Sequence, residues 1–395
     1  MSRFISGSDT GAQRPNPSRQ SSIANAHCVV SSNRLESIPN QEASHTQNSQ
    51  IDSKSHHFRN APKTHHSHIV ILATGGTIAG VASSHIQSTD YKAGALGIEV
   101  LLNALPELGT LATLKWEQVA NIDSADMIDS LWLTLAKRVN ALLAQDDVDG
   151  IVITHGTDTM EESAFFLHLV VASPKPVVLT GAMRPSSAIS ADGPKNLYNA
   201  IALAGDARAQ NRGVMIVMND RIQSARYGAK THTHNVDAFA SPNSGDMGYI
   251  IDGKAHFYYT PLAPHTTQSP FCVDTLTQLP KVAILYSYAN DSSGIAARAL
   301  YEAGIEGIVV AGSGAGSIHR YHKEVLQELM QKGLVVVVST RVGSGSVQVS
   351  EADSKLGFIG AGSLNPQKAR VLLLLALTRT HNPAEIAQIF VQYKI

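Results

Sequence analysis

The feature that most constrains this chain is the run Ile69-Val70-Ile71-Leu72-Ala73, five apolar residues without alternation, broken by Thr74-Gly75-Gly76-Thr77. Such a run predicts a central parallel strand covered on both faces. Paired glycines after it predict a tight turn whose backbone approaches a ligand closely. Thr77 then stands at a strand's carboxyl end, the edge where open α/β sheets bind ligands, and its hydroxyl is a candidate nucleophile. A threonine serving only the turn is the plainer alternative.

Strand followed by polar turn recurs three more times. Gly150–Thr154 runs into His155-Gly156-Thr157-Asp158-Thr159-Met160, Pro176–Thr180 into Gly181-Ala182-Met183-Arg184-Pro185, and Gly213–Met218 into Asn219-Asp220. Helical spacing fills the gaps. From Met127 to Gln145, Leu131, Leu135, Val139, Leu142 and Leu143 fall on one helix face. This alternation predicts an α/β fold, a large doubly wound and mostly parallel sheet over residues 68–262. Pro264 and Pro270 fall in a linker over 263–280. The alternation restarts with strands at Val282–Tyr286, Gly307–Ala311 and Val335–Ser339, a smaller α/β domain over 281–395. Two late helices open at Asn365-Pro366 and Asn382-Pro383, asparagine at the cap and proline in the first turn.

Residues 1–67 are rich in Ser, Asn, Gln, His and Arg and read as a disordered polar tail. The tail has no apolar stretch of the kind a secretory signal needs, which predicts a cytoplasmic protein. The pair His56-His57 and the run His65-His66-X-His68 are ascribed to that polar composition, and no metal is expected. With 31 basic against 32 acidic residues, the net charge of -1 lacks the basic excess that nucleic acid or anionic lipid calls for. The longest apolar run, Val371–Leu377, is too short to span a bilayer. Small molecules are the expected partners, with neither nucleic acid nor membrane. Two cysteines, Cys28 and Cys272, supply no disulfide framework and no thiolate metal site.

Nucleotide chemistry has little support. The glycines after the first strand lack G-x-G-x-x-G spacing, and no G-x-x-x-x-G-K-[S/T] or G-x-S-x-G occurs. Gly312-Ser313-Gly314-Ala315-Gly316 follows a strand but fits a turn or interface loop better than a phosphate cradle. No cofactor is expected. There remains a constellation: Thr77, Tyr91 in the loop after it, Thr157 and Asp158, and Lys230 in a polar segment beyond Asn219-Asp220. Threonine is a poor nucleophile unless a neighbouring base activates it, and a lysine beside a threonine and an aspartate offers a proton relay.

The segments Ala73-Thr-Gly-Gly-Thr-Ile-Ala79, Thr154-His-Gly-Thr-Asp-Thr-Met160, Gly181-Ala-Met-Arg-Pro185 and Ser190-Ala-Asp-Gly-Pro194 resemble the bacterial type II L-asparaginases and glutaminase-asparaginases. The resemblance runs from about residue 68 to the C-terminus. It implies an amidohydrolase converting L-asparagine to L-aspartate and ammonia through a threonine acyl-enzyme, with secondary action on L-glutamine. Matched position by position, Thr77 is the nucleophile and Tyr91 the loop tyrosine that assists it. Thr157, Asp158 and Lys230 form a second catalytic group, Asp158 also holding the substrate's α-amino group. Ser124 is matched to the α-carboxylate, and the Ala182 backbone to the substrate amide. Ser317 and Glu351 match residues donated by a neighbouring subunit, which implies a homotetramer with shared sites.

Three departures stand out. Ala125 replaces the Gln or Glu that most relatives carry after the carboxylate-binding serine, Gln145 and Ser173 replace a cysteine pair of some secreted members, and no signal peptide is recognisable. The periplasm is the compartment that the secreted relatives would imply. Two rival readings are weaker. A tRNA-dependent amidotransferase subunit would need an extra domain that the polar tail cannot form, and a non-catalytic amino-acid sensor would have no use for Thr77, Thr157 and Lys230 together.

Overall fold

A computed structural model describes residues 66–86 and 91–394. The tail reading and the His56-His57 pair lie outside the described residues. In the first half the strands are β1 (His68–Gly75), β2 (Val81–Ala82), β3 (Tyr91–Lys92), β4 (Thr113–Ile122), β5 (Gly150–Thr154), β6 (Val177–Thr180), β7 (Val214–Met218), β8 (Arg221–Ser224), β9 (Ala229–Lys230), β10 (Phe239–Ala240), β11 (Gly248–Ile251) and β12 (Lys254–Phe257). The second half carries β13 (Val282–Tyr286), β14 (Gly307–Gly312), β15 (Val335–Thr340) and β16 (Ile359–Gly360). The helices are α1 (Ile98–Asn103), α2 (Asp129–Leu143), α3 (Met160–Val170), α4 (Gly193–Ala204), α5 (Ser293–Glu302), α6 (Arg320–Met330), α7 (Glu351–Lys355), α8 (Pro366–Leu377) and α9 (Pro383–Gln392).

The large sheet has the order β12-β11-β8-β7-β6-β5-β1-β4. Its five strands from β4 to β7 are parallel, and β8, β11 and β12 continue it antiparallel. The chain leaves β1 for β4 on one side and returns to β5 on the other, so β1 flanks the crevice where a doubly wound sheet opens for a ligand. The second sheet, β13-β14-β15-β16, is parallel throughout. Both agree with the predicted fold class.

The strands legible in the sequence are the ones buried on both faces: β5, β6 and β7 are buried at every residue, and β1 at all but its first. The sequence reading passed over β4. It pairs on one side only, with β1, and carries Lys115, Glu117, Gln118 and Asn121 towards solvent, the composition of a protected sheet edge. In α2 the buried face is Trp132, Leu133, Leu135, Ala136, Val139, Leu142 and Leu143, with the predicted Leu131 at its margin. Both predicted asparagine caps form: Asn365 Oδ1 accepts from the Lys368 N–H at 3.0 Å and Asn382 Oδ1 from the Ala384 N–H at 3.0 Å.

One face of the large sheet packs on α4 with Ile69, Ile71, Val152 and Met215. On the other face Val70, Leu72, Ile153 and Ile216 join α2 and α3 in a core that continues into α8 and α9. Nearly every residue of α8 is buried, because it packs against α3 on one side and against β13, β14 and β15 on the other. That explains a helix with the unpunctuated run Val371–Leu377. Between β12 and β13 the chain has a single short 3₁₀ turn at Thr266–Gln268, yet Phe271, Val273 and Leu279 are buried in the same core.

Candidate active site

The carboxyl ends of β4, β1, β5 and β6 lie side by side, and three turns from them interlock through glycine. Gly75 and Gly76 hold φ of 103° and 82°, which side chains rarely tolerate. A Cβ on Gly76 would lie 2.4 Å from the Gly156 Cα, and one on Gly181 would lie 2.5 Å from the His155 carbonyl oxygen. The turns after β1, β5 and β6 are therefore in backbone contact, and this brings Thr77, Thr157 and Ala182 to one place. Thr77 opens a 3₁₀ turn directly after β1 and is 7% exposed. Ala182 is fully buried in the same apolar cluster as Ile78.

Ser124 enters from the end of β4. Asp123 fixes the turn by accepting from the Ala125 N–H at 3.0 Å, and Ser124 is buried behind it. Its Oγ accepts from the Asp158 N–H at 3.2 Å, while its carbonyl accepts from Thr159 Oγ1 at 2.7 Å. With Oγ already accepting, its proton is available to a ligand oxygen. Ala125 itself is exposed.

Lys230 lies in β9, which pairs with β10 in the register Phe239↔Lys230, so the residue read as a loop lysine is held in a short ladder. Its Nζ donates to Thr157 Oγ1 at 2.9 Å and to Asp158 Oδ1 at 2.6 Å. The lysine side chain is 18% exposed and the aspartate 61%, so the group faces an opening. Tyr91 pairs in register with Ala82 in the β2–β3 ladder, five residues beyond Thr77 along the first of those strands. His155 is fully buried, with Nδ1 2.7 Å from the Gly156 carbonyl, and burial pushes its imidazole pKa down to about 4. It is a neutral wedge beneath the turn.

Thr77, Ser124, Thr157, Asp158, Ala182 and Lys230 are thus gathered by four adjacent strands and one ladder. Ser317 and Glu351 are not joined to them by any hydrogen bond among the described residues. Both are exposed in the second half, where Ser317 and Ser350 line one cleft with Lys323 and Asp353, and Glu351 pairs with Lys355 at 2.7 Å. Sequence reading missed Thr159, whose hydroxyl ties the Ser124 carbonyl to the Asp158 turn. Its place two residues after Thr157, before an apolar helix, was the available signal. No group of three or more His, Cys, Asp or Glu side chains among the described residues is disposed to hold a metal ion. No helix among them is long and apolar enough to cross a membrane.

Residues 68–263 match the family model "Asparaginase, N-terminal" and residues 281–390 match "Glutaminase/Asparaginase C-terminal domain". The L-asparaginase 2 of Escherichia coli strain K12 is 52% identical over 327 residues, 82% of this chain and 93% of that protein. The glutaminase-asparaginase of Pseudomonas fluorescens biotype A is 43% identical over 334 residues, 84% and 92% of the two chains. A crystal structure titled probable cytoplasmic L-asparaginase from Campylobacter jejuni superposes with a TM-score of 0.82 at 61% identity, covering 83% of this chain and all of that one.

Proposed function

The chain belongs to the asparaginase family, and from that premise we propose that it hydrolyses L-asparagine to L-aspartate and ammonia, with secondary action on L-glutamine. The observation that carries this reading is the contact of Lys230 with both Thr157 and Asp158 at the strand ends that also present Thr77.

The chemistry follows from who donates to whom. Thr77 Oγ attacks the side-chain amide carbon; the C–N bond breaks, and the proton leaving the Thr77 hydroxyl ends on the departing ammonia. Thr157 accepts from the Lys230 ammonium, so its own hydroxyl proton is free to point at an incoming oxygen or nitrogen. The pair serves as a two-membered proton relay, giving a proton to the leaving nitrogen and taking one from the water that later attacks the acyl-enzyme. That water's oxygen forms the new C–O bond, the bond to Thr77 Oγ breaks, and the threonine recovers its proton. Asp158, exposed and already paired with one cation, suits the substrate's α-ammonium, and the free Ser124 proton suits its α-carboxylate. The backbone of the buried Ala182 is assigned to the substrate amide, and Tyr91 the assisting role in the loop beyond Thr77.

The assignment of 68–262 and 281–395 as domains with 263–280 between them is part of the same reading. So is a homotetramer, since Ser317 and Glu351 stand exposed in the second half and suit a neighbouring subunit's site. The relative titled cytoplasmic supports a cytoplasmic location. Ammonia release from the purified full chain on L-asparagine and L-glutamine tests the activity, light scattering the assembly, and fractionation the compartment. No release from either amide removes the proposal.

A further inference from the structure

The reach of Lys230 to Thr157 depends on the turn Arg226–Lys230, and that turn hangs from the second half of the chain. Arg226, almost fully buried, donates through Nη2 to the Tyr393 carbonyl at 2.6 Å and to Ser363 Oγ at 2.9 Å. Two residues on, the Gly228 carbonyl accepts from Lys368 Nζ at 2.5 Å. Two residues further, the Lys230 backbone N–H faces the Glu161 carboxylate and works against the rise that burial gives its pKa. Asn365 joins them: its Oδ1 caps α8 on the Lys368 N–H, and its Nδ2 donates to Glu161 Oε2 at 3.3 Å.

Glu161 and Lys368 are 7% and 2% exposed in a core otherwise built from Leu, Val and Phe. Burial drives the carboxyl up and the ammonium down, and each charge opposes that shift in the other. Apolar residues of similar volume usually serve stability as well as such a pair does. Lys368, however, bonds to the turn that carries Lys230, and Glu161 belongs to the helix that follows Thr157.

On the reading of Lys230 and Thr157 as reacting groups, we propose that Glu161 and Lys368 are positioning residues for Lys230. Thr157, Asp158 and Glu161 lie within one short segment leading into α3. Lys230 meets that segment twice: its Nζ donates to Thr157 and Asp158, and its backbone N–H faces Glu161. The two attachments close a ring that sets how far the side chain extends. Lys368 fixes the third point, Gly228, and its charge opposes the rise that burial imposes on the Glu161 pKa.

The test uses the full chain with Lys368→Met, the double variant Glu161→Gln/Lys368→Met, and Asn365→Asp. The last keeps the α8 cap and turns a donor towards Glu161 into a like charge. Two readouts are taken beside the thermal midpoint: kcat and KM on L-asparagine, and the rate at which Lys230 is acylated by an N-hydroxysuccinimide ester, read by peptide mass spectrometry. Lys368→Met and Asn365→Asp are expected to lower kcat by roughly tenfold or more, a misplacement effect, with KM changed by less than about threefold. They are expected to speed Lys230 acylation. The double variant, which removes the unpaired charge and keeps an acceptor for the Lys230 N–H, is expected to recover much of kcat. Unchanged acylation in Asn365→Asp, with kcat falling only as the folded fraction falls, overturns the inference. Acylation needs no turnover, so absence of asparagine hydrolysis by the wild type would remove the functional reading while Lys230 reactivity still decides this one.

Discussion

A Cβ on Gly156 would lie 2.6 Å from Ser124 Oγ and 2.8 Å from its Cβ, so the serine hydroxyl occupies space that only glycine leaves open. Gly156 does not have a left-handed backbone, and replacing it with alanine changes packing rather than backbone strain. Gly156→Ala is expected to push Ser124 aside and weaken the carboxylate contact proposed for it, raising KM for L-asparagine by about tenfold, the equivalent of roughly 1.4 kcal/mol. Steady-state kinetics with a thermal melt check this. An unaltered KM in a folded variant would remove Ser124 from carboxylate binding.

On the proposed mechanism, Thr77→Ala is expected to cut ammonia release by about 10³-fold or more while L-asparagine still binds, because the nucleophile assigned there acts in bond making more than in ground-state affinity. Isothermal titration on the variant supplies the binding arm. Lys230→Met should cost roughly 10²-fold through loss of the relay. Wild-type turnover in either variant would reassign that residue.

On the proposed mode of binding, Ala125 leaves a substrate group without the side-chain partner that a glutamine would give. A hydrogen bond to a charged group is worth about 1.5–3 kcal/mol, roughly 10- to 150-fold in affinity. Ala125→Gln should therefore lower KM for L-asparagine, and measuring L-glutamine beside it shows whether the position sets the balance between amides. Should KM stay fixed or rise for both, Ala125 carries no information on specificity.

Burial of His155 is expected to make stability fall in acid. Its imidazole pKa is lowered from 6.5 to about 4 by burial, so below 6.5 the unfolded chain binds a proton that the folded chain refuses. The sign is fixed by that difference. Stability from this group is intact above pH 6.5, declines at about 1.4 kcal/mol per unit as pH falls towards 4, and levels below it. Denaturant unfolding at pH 7, 6 and 5 should show the decline in the wild type. His155→Asn, whose amide can still donate to the Gly156 carbonyl, should show less of it, and equal slopes would locate the acid sensitivity elsewhere.

What was readable in the sequence was whatever is encoded locally. β1, β5, β6 and β7 were legible because strands buried on both faces cannot alternate, and Thr77, Thr157 and Asp158 because each directly follows such a strand. The edge strand β4 hides behind its polar residues. Lys230 has no local structural signature: a two-residue ladder leaves almost no trace in composition, so the sequence offered it as a relay candidate but placed it in a polar loop. The meeting of Glu161 with Asn365 joins residues 204 positions apart, and no window along the chain contains it. Buried charge is also what hydrophobic patterning is least able to foresee, since Lys368 sits in α8 just ahead of Val371–Leu377 and reads like a surface lysine at a helix start.

Because α8 is enclosed by α3 on one side and by β13, β14 and β15 on the other, the two sheets are not interchangeable modules. A chimera that took its first half from one ancestor and its second from another would have to match leucine for leucine along that helix. It would also inherit Lys368 and Asn365 from a different parent than Glu161.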